Sequence, residues 1–193
     1  MLGLSTANGS ILPVVRLARE VAGEGPAVVL LHAGICDSRM WEPQWPALTA
    51  AHLVVRADFR GFGSSPQPAE RFSHARDVIS LLDELGIERA ALVGVSLGGQ
   101  VALEVALARP ELVTALVLVG AALPDHEWSE TVRTYGDEED AALERGDIDA
   151  AVEANLRMWV DGPYRGPEVV DPEVRDAVAA MQRRAFELQL PVA

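Results

Sequence analysis

Lysine is absent from the 193 residues, and all 16 basic side chains are arginine. That excludes chemistry that needs a lysine amine, such as a phosphate-loop lysine or a Schiff base. Cysteine occurs once, as Cys36, so no internal disulfide can form and nothing points to an oxidising compartment. The four histidines and Cys36 show no metal-ligand spacing, so neither a metal nor another cofactor is expected. Long apolar runs are missing too. Ala27–Leu31 and Ala115–Val119 fall far short of the roughly 20 residues that span a bilayer. The N-terminus has no basic stretch followed by an apolar one and a cleavage site, so no secretory signal and a cytoplasmic, membrane-free protein are expected. Excess positive charge is lacking as well. A net charge of −13 argues against nucleic acid, whose phosphates need a basic surface.

What is present divides near residue 122. Residues 1–120 carry a net −3, residues 121–193 a net −10, and the patterning changes at the same place. In the first part strand and helix signals alternate. Ala27–Leu31, His52–Ala57, Ala90–Val95 and Val113–Val119 are short β-type runs, the first continuous as in a strand buried on both faces. Between them, Arg76–Leu85 and Gln100–Ala108 have helical spacing and stop at Gly86 and at Arg109-Pro110. Such alternation implies right-handed crossovers and a mostly parallel, doubly wound α/β sheet. Ile11–Leu17 and Arg19–Ala22 are expected as a leading antiparallel pair. Residues 123–193 carry no strand signal; Glu138–Leu143, Ile148–Trp159 and Pro172–Leu188 read as amphipathic helices. The expected organisation is an α/β core over 1–122 and a helical region over 123–193.

Three loops at strand ends concentrate the chemistry. Gly94-Val95-Ser96-Leu97-Gly98-Gly99 lies between a strand and a helix. A nucleophile on such a sharp turn has a strained backbone and needs neighbours without bulk, which Gly94 and Gly98 provide. The turn lifts the Ser96 hydroxyl above the sheet and aims the free N–H groups of the next helix at it, where an oxyanion would develop. His32-Ala33-Gly34-Ile35 follows the first strand of the core, and Asp58-Phe59-Arg60-Gly61-Phe62-Gly63-Ser64-Ser65 follows the next.

Together these motifs resemble the α/β-hydrolase superfamily, over roughly residues 20–122. The resemblance implies a Ser96 nucleophile and an oxyanion hole made by the backbone N–H groups of Leu97 and Gly34. It implies that His32 braces its loop rather than acting as base, and that Asp58 and Arg60 fix loops near the site by charge-assisted hydrogen bonds. Ala33 stands where relatives usually have glycine. Serine at position 96 argues against the branches that attack with a carboxylate. Met158–Pro163 and Met181–Arg184 are similar to the helical cap of esterase-like and lactonase-like members, with Trp128 and Trp159 expected at a substrate pocket.

A serine hydroxyl needs a positioned base and that base an orienting acid, in the chain order Ser, Asp or Glu, His. After Ser96 the one histidine is His126, beside Asp125, and no strand signal follows residue 123. The expectation is therefore a serine hydrolase acting on a small ester or lactone, with acid and histidine absent from these residues, as in an N-terminal portion of the fold. Two alternatives stand beside it: a carbon–carbon bond hydrolase or cofactor-free perhydrolase with the same constellation, and a non-catalytic remnant that binds an apolar ligand or a partner chain. Val113–Val119 would then form an unprotected apolar edge. A homodimer or a complementing C-terminal fragment is expected there, unless helix 172–188 folds back across it.

Overall fold

The computed structural model describes residues 5–7, 10–12, 16–67, 71–123 and 126–190. Ser5–Ala7 (β1) and Ser10–Leu12 (β2) form a separate antiparallel pair. The main sheet has five strands: Arg19–Ala22 (β3), Ala27–Leu31 (β4), Leu53–Ala57 (β5), Ala90–Val95 (β6) and Val113–Val119 (β7). Their spatial order is β3-β5-β4-β6-β7, with only β3 antiparallel. The mostly parallel sheet is as expected, but the leading pair is not. Arg19–Ala22 pairs instead with β5, whose Val54–Ala57 are buried in the sheet; residues 13–15 of its expected partner lie outside the described residues.

Alternate residues of each strand feed opposite faces. Val29, Leu31, Val55 and Leu92 pack against helices His74–Leu85 (α2) and Leu97–Ala108 (α3), through Val78, Leu82, Val101 and Val105. Val28, Leu30 and Val54 point the other way, onto Trp41, Trp45 and Leu48, the last two in the short helix Trp45–Thr49 (α1). β4 sits centrally and is buried almost throughout, which accounts for its unbroken apolar run.

After Val119 no described residue lies in a strand. Glu130–Glu144 (α4), Ile148–Asn155 (α5) and Pro172–Gln189 (α6) enclose a second small core of Ala142, Ala151, Val152, Leu156 and Phe186. α4 begins eight residues before the expected Glu138, capped by Ser129, whose hydroxyl accepts from Val132 N–H. α5 passes at Leu156–Asp161 into a π-helical turn that ends at Gly162, φ +86°. α6 is tied to the main body by Met181 beside Ala33 and Cys36, and by Gln189 Nε2 donating to Gly61 O at 3.0 Å. It does not cover β7. That strand forms the edge of the sheet, with Val117, Leu118 and Val119 at 49%, 39% and 52% exposure. No described helix is long and apolar enough to cross a membrane.

Candidate active site

Ser96 is the one described non-glycine residue at positive φ (φ 50°, ψ −112°). Hydrogen bonds on both sides hold it there: its N–H donates to Val119 O at 2.9 Å, and its carbonyl accepts from Ala122 N–H at 3.1 Å. Close packing explains the glycines around it. A Cβ on Gly94 would lie 2.3 Å from Gly98 O, and one on Gly98 would lie 2.2 Å from Leu31 O. The turn is thus wedged against the end of β4, the strand that leads into the His32 loop. Ser96 supplies no side-chain cap to α3, so the first N–H groups of that helix, Leu97's among them, keep their polarity for another acceptor. Gly34 adjoins the start of α3, since a Cβ placed on it would meet Leu97 Cβ at 3.7 Å.

Such a conformation costs a non-glycine residue about 1–3 kcal/mol. Ser96→Gly is therefore expected to raise unfolding stability by about 1 kcal/mol over Ser96→Ala, the remainder offset by glycine's freedom in the unfolded chain. Urea denaturation of the two variants checks this; equal midpoints would show that the turn is unstrained.

His32 is fully buried, and both of its ring nitrogens are engaged. Nε2 accepts from Phe59 N–H at 2.9 Å and Nδ1 donates to Ala33 O at 2.8 Å, so the neutral ring bridges the two loops. Burial lowers its pKa, outweighing the raising influence of Ala33 O, Asp58 and Asp37. The buried Asp58 carboxylate accepts from Ser38 N–H and Ser64 N–H, both at 2.8 Å, and its own carbonyl accepts from Ser65 Oγ at 2.8 Å. Arg60 Nη2 donates to Asp77 Oδ1 at 2.6 Å, with both side chains buried. Burial pushes Asp77 above the usual carboxylate range, Arg60 opposing the shift.

Two contributors were not singled out from the sequence. Asp37, almost wholly buried, caps the turn Ser38–Trp41 and takes a bidentate bond from Arg39. Its spacing ahead of Arg39 was the available signal. Asp77, the partner of Arg60, lay hidden in the polar stripe of α2. Cys36 is buried against Met181, and burial, with Asp37 nearby, pushes its thiol up to about 12, which makes it unreactive.

No hydrogen bond joins Ser96 Oγ to a histidine among the described residues. His74 packs between Phe59 and Phe72, His52 immediately precedes β5, and His126 is exposed, edge-on to Trp128. Trp128 and Trp159 come together, ring centroids 6.2 Å apart, on a cavity of about 680 Å³ in the helical segment, which Ser96 does not line. No described group of three or more His, Cys, Asp or Glu side chains is arranged to hold a metal ion.

Residues 26–166 match the alpha/beta hydrolase fold family, so the chain belongs to that family. It is 39% identical over 112 residues to an uncharacterised protein of Mycobacterium tuberculosis, covering 55% of this chain and 32% of that one. It is 38% identical over 116 residues to 2-hydroxymuconate semialdehyde hydrolase of a Pseudomonas species, covering 56% and 41%. Among solved structures, a hydrolase from Pseudomonas aeruginosa superposes with a TM-score of 0.73 at 27% identity, over 96% of this chain and 69% of that one. The chain thus spans less than half the length of the curated relatives it matches.

Proposed function

We propose that this chain supplies the nucleophile and oxyanion hole of a cytoplasmic serine hydrolase acting on a small carboxylic ester or lactone. The observation that carries the reading is the strained Ser96 turn, with Leu97 at its helix start and Gly34 next to the Leu97 side chain. Ser96 Oγ attacks the ester carbonyl carbon and passes its proton to a histidine base, while the N–H groups of Leu97 and Gly34 hold the tetrahedral oxyanion. Collapse expels the alcohol, which takes the proton back, and water then releases the acid from the acyl-serine. His32, Asp58 and Arg60 position the loops and do not touch the reacting atoms. The base and its acid we assign to a complementing polypeptide segment that pairs with the free edge of β7.

A fluorophosphonate probe tests the nucleophile. With the complementing segment that carries the base present, the expected result is one adduct, mapped by peptide mass spectrometry to Ser96 and absent from Ser96→Ala. No adduct, or labelling spread over other serines, overturns the assignment and favours a non-catalytic binding role. Activated-ester turnover by the 193 residues alone is expected to equal that of Ser96→Ala, because no described histidine reaches the hydroxyl. A second reading, carbon–carbon bond hydrolysis by the same constellation, is favoured by the identity to 2-hydroxymuconate semialdehyde hydrolase.

A further inference from the structure

We infer that the cavity in the helical segment is a binding site for an organic cation of the amine or quaternary ammonium class. The inference rests on the cavity's own walls and not on Ser96. The cavity, about 680 Å³, lies between α4 and the end of α5 with its π-helical turn. Its aromatic wall is Trp128 and Trp159, with rings 72° apart in orientation and side chains 44% and 48% exposed, so ring surface stays open to a ligand. Its polar wall carries four carboxylates, Glu130, Asp137, Glu139 and Asp140, against one guanidinium, Arg133. Arg133 is already committed, its Nη1 donating to Trp128 O at 2.6 Å. Glu139 is the deepest acid, its Oε2 accepting from the buried Asn155 Nδ2 at 2.8 Å.

Aromatic faces attract cations through their quadrupole, most strongly where the cation is poorly hydrated. Three excess carboxylates add a field of the same sign, and repel an anionic ligand from the same space. A contact of this kind stands beside the cavity: the Arg157 guanidinium, outside its lining, sits 5.2 Å from the ring centroid of the lining residue Tyr135 and pairs with Glu138. Gly136 lines the cavity from within α4, and a Cβ there would meet nothing within 4 Å. A neutral apolar molecule would fill the volume but leave the carboxylates without a counter-charge.

Choline and its uncharged isostere 3,3-dimethyl-1-butanol separate charge from shape. Binding to the full chain is read by calorimetry and by the indole N–H resonances. Choline is expected to saturate a single site and to shift Trp128 and Trp159 but not the buried Trp41, with the isostere at least tenfold weaker. Trp159→Ala is expected to weaken choline at least tenfold. Gly136→Leu, which projects into empty space and whose fold is checked by its melting transition, is expected to block it. Equal affinity for the two probes, no saturable choline binding, or unchanged binding in folded Gly136→Leu would overturn the inference. None of these readouts involves turnover, so the site stands or falls separately from the Ser96 chemistry.

Discussion

Gly98→Ala is expected to unfold the chain or leave it without a cooperative transition. On helix propensity alone the change should stabilise α3 by about 1 kcal/mol. Geometry opposes it. The new methyl would lie 2.2 Å from Leu31 O and 2.7 Å from His32 O, and neither atom is the tip of a flexible side chain. Leu31 ends the central strand β4, paired on both sides by β5 and β6, and His32 is fixed by bonds to Phe59 and Ala33. Relief requires α3 to lift off the sheet, which uncovers Val101 and Val105, both essentially fully buried. A displacement of that kind belongs with the rare losses above about 4 kcal/mol, against a total stability of about 5–15 kcal/mol. Gly34→Ala is the control: its methyl finds Leu97 at an ordinary 3.7 Å, so a change within about 1 kcal/mol is expected. Soluble yield, far-UV circular dichroism and urea midpoints of the two variants check the contrast. A Gly98→Ala protein that melts like the parent would mean that the approach of α3 to β4 is looser than described.

The same close approach explains why the Ser96 turn was legible in sequence. Steric exclusion of Cβ acts on residue type directly, so it leaves glycines at fixed offsets from Ser96. Central strands were legible for a similar reason, since burial on both faces demands continuous apolar residues, as in β4. Where structure depends on partners distant in the chain, the pattern is silent. β3 was recognisable as a strand, but its pairing with β5 is decided by the sheet edge that the rest of the fold creates. The first two turns of α4 were missed because Ala142 is its one fully buried residue, so most of the helix carries no apolar stripe. β7 is the reverse case. Its composition is that of an interior strand, yet it stands at an edge, largely exposed. The Arg60–Asp77 and Asp37–Arg39 pairs escaped for another reason: a buried carboxylate and a solvated one look alike in sequence, and only packing distinguishes them.

Acidification is expected to destabilise the chain through His74, well above the pH at which its ordinary carboxylates titrate. The imidazole is packed among Phe59, Phe62 and Phe72, and its Nδ1 is buried without a hydrogen-bond partner. Burial, with His32 and the Arg60 charge adding to it, pushes its pKa down to about 4 from an ordinary 6.5. Between those two values the unfolded chain binds the proton and the folded chain does not. The stabilisation is therefore complete above about pH 6.5 and is lost progressively as pH falls toward 4. By pH 5 the loss from this group is about 2 kcal/mol, a large part of an ordinary domain's margin. His32, lowered in the same direction by its burial, adds to the loss. Asp77 and Glu139, both raised mainly by burial, act oppositely: folded, they hold protons that the unfolded chain releases, so they gain ground at the acid end. Comparison with His74→Phe isolates the histidine, since phenylalanine suits the aromatic cluster and cannot titrate. Urea midpoints from pH 8 to 4.5 are expected to fall steeply for the parent and more gently for the variant, the curves separating by about 2 kcal/mol at pH 5. Parallel curves would mean that His74 takes up its proton in the folded chain as readily as in the unfolded one, and that its aromatic surroundings do not exclude the charge.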